Sequence, residues 1–141
     1  MKDGEAAAAL AENLVKVSKK LGKGAVAAIT DMEQPLGEWV GNASEVFEAV
    51  EVLNGRGPAD TRKLCVTLCG LLLAVASVAK DANEGAKIAE RALDDGSALK
   101  KFAEIITAQG GDPEVVRRPL EVLPRARKSL RFHRSWPARA P

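Results

Sequence analysis

A mostly α-helical fold with one or few β-strands is what this sequence predicts, and three observations carry that expectation. Apolar residues make up 46% of the chain but aromatic residues only 4%, with no Tyr, so Ala and aliphatic side chains must do the packing, which favours helix. Apolar positions recur at steps of three and four along most of the chain, the period of one helical face. One short apolar run bounded by glycine, Ala25 to Thr30, would suit a strand buried on both faces, although period alone leaves a helical segment open there.

The elements follow in order. Glu5 to Leu21 reads as an amphipathic helix, with Leu10, Leu14, Val17 and Leu21 on one face and Lys16, Lys19 and Lys20 suited to the negative end of its dipole. Gly22 and Gly24 stop it, and the candidate strand comes next. Asp31 to Gly41 is a loop punctuated by Pro35 and Gly37. Asn42 can cap a helix from about Ala43 to Leu53 that turns Val46, Val50 and Leu53 inward. After the Gly55-Arg56-Gly57-Pro58 break, Asp60 can cap the longest helix, about Thr61 to Ala79. That helix is apolar nearly all round, which predicts a buried centre. Helices over about Glu84 to Leu93 and Ser97 to Ala108 complete the set, with a possible short turn at Glu114 to Arg117.

The 141 residues correspond to about one domain or a piece of one. The net charge of +2 is unevenly spread. Residues 1–124 carry 15 basic and 19 acidic side chains, a net of −4, whereas residues 125–141 carry six basic side chains and no acid. The longest apolar run, Leu64 to Ala79, falls short of the roughly 18–20 residues of a membrane span, so no membrane association is expected. No signal peptide is visible at Met1, and two cysteines make no disulfide framework, so a reducing cytoplasm is the expected compartment.

Chemistry-bearing clusters are sparse. Cys65 and Cys69 share a helix face but lack the further ligands zinc needs, and read as two small core thiols. His133 is the single histidine and sits in the basic tail. Asp94-Asp95 and Glu48/Glu51 read as solvated carboxylates. Composition, spacing and periodicity assemble no active site.

Longer motifs are more specific. Ile29-Thr30-Asp31-Met32-Glu33-Gln34-Pro35-Leu36-Gly37, then Gly41-Asn42-Ala43, Glu45-Val46 and Glu48-Ala49, are followed by Gly55-Arg56-Gly57-Pro58-Ala59-Asp60. Asp95-Gly96-Ser97-Ala98-Leu99, Ala108-Gln109-Gly110-Gly111-Asp112-Pro113 and Leu123-Pro124 come after. In this order and spacing they closely resemble the thymidine and pyrimidine-nucleoside phosphorylases. The resemblance runs from about Met1 to Pro124. It implies a fragment of the α/β domain of a two-domain, homodimeric phosphorylase.

That family transfers a pentosyl group: phosphate attacks C1′ of thymidine, uridine or deoxyuridine, and the pyrimidine base leaves. The products, free base and (deoxy)ribose 1-phosphate, belong to pyrimidine nucleoside salvage. The family's phosphate- and base-binding residues precede the position matching Met1, so the resemblance places no catalytic residue in this chain and implies that it is inactive alone. Some bacterial members also hold a structural monovalent cation, K⁺, near the hinge between domains. The resemblance puts the backbone carbonyls of Leu36 and Trp39 and the Glu48 carboxylate on that ion, with Trp39 where Ala is common. Without the ion, Glu48 reads as a helix-surface carboxylate.

The basic tail, Arg125 to Pro141, departs from the family and is expected to be disordered. It reads either as the Arg/Ala/Pro-rich text of a frameshift or as a basic arm for a polyanion, with Phe132 and Trp136 interleaved among arginines. Nucleic acid is the weaker of these expectations. An alternative to the partial enzyme is a non-enzymatic helical interaction or regulatory module carrying that arm.

Overall fold

The structure, a computed structural model, describes residues 3–31 and 34–124. Six α-helices follow one another: α1 (Gly4–Lys20), α2 (Asn42–Leu53), α3 (Ala59–Val75), α4 (Ala82–Asp94), α5 (Ser97–Ala108) and the single turn α6 (Pro119–Val122). A 3₁₀ turn, Pro113–Val116, links α5 to α6.

Among the described residues there is no β-strand, which corrects the expected fold of mostly α with one or few strands in an α/β-domain fragment. Ala25 to Thr30 has no regular structure and lies beside the C-terminal half of α3. The physical reason is partnership: a strand exists through its ladder, and the described chain brings no second extended segment alongside to exchange N–H and C=O groups.

The helix boundaries follow local chemistry. Asp3 caps α1, its Oδ1 accepting from Ala6 N at 2.7 Å, and Asp81 caps α4 by accepting from Glu84 N at 2.8 Å. Two expected caps move. Gly41, at φ 123°, precedes α2, and Asn42 is its first helical residue. Pro58 precedes α3, and Asp60 turns its side chain to Thr61 N at 2.8 Å and to the preceding loop. The α3 helix also ends earlier than expected, at Val75; beyond it Ser77 takes a left-handed φ of 57°.

Packing gathers in two places. The first is the crossing of α3 on α4, where Gly70 meets Gly85 backbone to backbone. A Cβ on Gly70 would lie 2.6 Å from Ala82 O and 2.9 Å from Ala86 N, so only hydrogen fits. Arg62 bridges the same two helices by donating to Asp94 at 2.8 Å. The second is a small core where α2 and α6 meet α5 and the 3₁₀ turn, with Val50 (1% exposed), Val52 and Val115 buried.

Two apolar faces stay open, which corrects the expectation that the longest helix is the buried centre. Only Val66 and Gly70 of α3 are buried, and Leu72 is 64% exposed. Leu10, Leu14 and Val17 of α1 and Leu21 just past its end are exposed, and no residue of α1 is buried. A shallow apolar groove of about 400 Å³ runs between Gly24–Ala28 and Leu68, Leu72 and Val75 of α3.

Candidate functional site

The loop before α2 folds back onto two carboxylates. Glu48 lies at the middle of α2, on the helix face that looks toward this loop, and is only 6% exposed. Its Oε2 accepts hydrogen bonds from Glu38 N at 2.7 Å and Trp39 N at 3.1 Å. Gly37 N donates to Asp60 Oδ2 of α3 at 3.4 Å. Three consecutive amides thus address two acids from different helices, and run-together N–H groups of this kind form a ready anion receptor. Here the anion comes from within the chain.

Gly37 is required by this arrangement on two counts. Its φ is +73°, and a Cβ there would overlap the Glu48 carboxylate. Trp39 closes one side, its ring meeting Phe47 edge-on at 5.4 Å between centroids. On the other side Glu51 and Arg56 form a two-pronged ion pair, with Nε and Nη2 donating at 2.9 and 2.7 Å. The Arg56 hydrogen bonds hold the Glu51 carboxyl below its usual range, slightly opposed by burial, and Glu51 in turn raises the Arg56 guanidinium. These groups surround a pocket of about 230 Å³.

The structure therefore brings Glu48 against the loop segment flanked by Leu36 and Trp39, whose side chains are about half exposed. It also corrects the reading of Glu48 as a helix-surface carboxylate: Glu48 is buried and tied to main chain. The test of a cation rests on the donors. Among the described residues Oε1 receives no N–H, while Oε2 receives two. A carboxylate and main-chain carbonyls are oxygen donors of the type a hard cation takes. No group of three His, Cys, Asp or Glu side chains gathers among the described residues.

One further expectation changes. Cys65 and Cys69 are exposed on α3 and are not core thiols. Asp95 is exposed as expected, but its carboxyl is held below the usual range by hydrogen bonds from Ser97, with Ser97 N donating at 2.8 Å. His133 and the basic tail lie outside the described residues. The parts that sequence reading missed are Gly37, Asp60 and the Glu51–Arg56 pair. The five-residue spacing of the last, across a helix end, was the one available signal.

The chain that carries this acid-latched loop has relatives among known proteins. Residues 2–99 match the family model described as "Glycosyl transferase family, a/b domain", and the chain belongs to that family. Within it the relatives are pyrimidine-nucleoside phosphorylases. The protein of that name from Geobacillus stearothermophilus is 42% identical over 127 residues, which is 90% of this chain and 29% of the relative. Those from Staphylococcus haemolyticus and Staphylococcus aureus (strain bovine RF122 / ET3-1) are 40% and 39% identical over 132 residues, 94% of this chain and 30% of each relative. The chain thus spans about three-tenths of the length of the curated relatives it matches. No helix among the described residues is long and apolar enough to cross a membrane.

Proposed function

We propose that this chain is part of a pyrimidine-nucleoside phosphorylase, a cytoplasmic and homodimeric pentosyltransferase. The whole would cleave thymidine or uridine with phosphate into free base and (deoxy)ribose 1-phosphate. The observation that carries this reading is the 39–42% identity to enzymes of that name across 90–94% of the chain. The reaction needs cations and hydroxyls to hold phosphate, and donors to meet negative charge developing on the leaving base. We assign neither set to this chain, and infer that it does not turn over alone.

Its contribution would be positional. Glu48 and Asp60 fix the main chain of residues 37–39 between α2 and α3. We further propose that a K⁺ ion would be held there by the Glu48 carboxylate with the carbonyls of Leu36 and Trp39. When bound it would supply charge balance and rigidity to the loop.

A phosphorolysis assay with thymidine or uridine and phosphate, reading free base, tests the reading. The chain alone should give no base. Addition of a separately made chain comprising the remainder of the Geobacillus relative should restore release. Turnover by the pure chain, or none from the mixture once a complex has formed, would overturn it.

A further inference from the structure

Helix α3 carries two thiols for which nucleoside chemistry has no use. Cys65 and Cys69 are free and exposed, and one helical turn apart. Residues four apart on a helix share a face, with Cβ atoms about 5–6 Å from each other. The Cys65 thiol is pushed up from its usual 9.0, first by partial shelter of its sulfur and second by the charge of Cys69.

Three fates compete for such a pair. A disulfide needs Cβ atoms roughly 3.5–4.5 Å apart, closer than a rigid helical turn presents them. A zinc ion needs four ligands, and no third His, Cys, Asp or Glu gathers with the thiols among the described residues. A single ion bridging two sulfurs linearly, with metal–sulfur bonds of roughly 2.3 Å, sets those sulfurs about 4.6 Å apart. Ordinary χ1 rotamers bring two γ atoms one turn apart to that spacing.

We propose that Cys65 and Cys69 form a two-coordinate site for one soft d¹⁰ cation, of which Cu(I) is the biological example. Thiolate pairs select such ions through softness and low coordination number. On binding, both S–H bonds break and two S–Cu bonds form. Two protons leave, and the bis-thiolate carries one negative charge. No electron is exchanged.

The test is an anaerobic titration of the reduced full chain with Cu(I), in competition with a chromophoric Cu(I) chelator. One ion per monomer, with two protons released per ion, is expected. Cys65→Ser and Cys69→Ser should each lose the one-to-one complex with helix content unchanged by circular dichroism. Wild-type chain alkylated at both thiols, an independent check should either variant unfold, should bind none. Zn(II) in place of Cu(I) should leave both thiols fully reactive toward a disulfide reagent. Retention of the complex in either variant or in alkylated chain would overturn the proposal. So would a complex found only in dimers, or equal protection by Zn(II).

Discussion

Replacing Glu48 with Ala should free the loop that precedes α2 without dismantling the helices. The carboxylate accepts two main-chain hydrogen bonds, at 2.7 and 3.1 Å, from a position only 6% exposed. A hydrogen bond to a charged group contributes about 1.5–3 kcal/mol. Because the freed amides can reach water once the side chain is gone, the lower end applies, and the pair together should contribute about 2–3 kcal/mol to loop closure. At a tenfold change per about 1.4 kcal/mol, amide hydrogen exchange at Glu38 and Trp39 should quicken about 30- to 150-fold. Glu48→Gln keeps an acceptor but loses the charge, and should quicken it about fivefold. Residue-resolved exchange by NMR reads both values, and Trp39 fluorescence in a Trp136→Phe background gives an independent signal. Exchange at these two amides within about threefold of wild type in Glu48→Ala would refute the latch.

Other predictions test other parts of the molecule. Gly37→Ala should free the same loop, from left-handed strain of about 1–2 kcal/mol plus overlap with Glu48, and should add less than its full effect to Glu48→Ala. Gly70→Ala should lower stability by about 1–2 kcal/mol in urea unfolding, overpacking outweighing the helix-propensity gain, whereas Gly4→Ala, with open space around it, should be neutral or stabilising. The Glu51 carboxyl is lowered in the folded state, so its stabilisation is present above its ordinary 4.5 and lost as pH falls through the lower folded value. The melting-temperature difference between wild type and Arg56→Gln should therefore shrink between neutral pH and about pH 3, and a constant difference would contradict that linkage.

Much of the helical plan was legible because it rests on local chemistry. The Asp95-Gly96-Ser97 turn starts α5 where expected, and Gly22 ends the reach of α1. The inference from apolarity to burial held for Val50 of α2 but failed on α1 and α3. Leu10, Leu14, Leu72 and the two cysteines have the pattern of core residues but lie exposed, since periodicity states which face is apolar and not whether anything covers it. Ala25 to Thr30 failed for a related reason: a strand is a property of pairs, and its own residues cannot reveal whether a pair exists. Glu48 failed in the opposite sense. A charged residue on an amphipathic helix is ordinarily solvated, and its burial depends on a loop more than eight residues upstream that supplies the compensating amides. The family motif holds Glu48 and residues 29–37 together without saying what each one touches.

The near-isolation of α1 has a thermodynamic consequence. A 17-residue helix with no buried residue draws much of its helicity from its Asp3 cap, its dipole charges and its own propensity, terms that barely sustain a helix of that length in water. It should therefore not share the cooperative transition of the α3–α4 pair, where Gly70 and Gly85 lock two backbones in contact. Heating would then reveal two regimes in one short chain: a gradual, salt-sensitive loss of the first helix, and a sharper event for the rest. A single melting temperature would describe only the second.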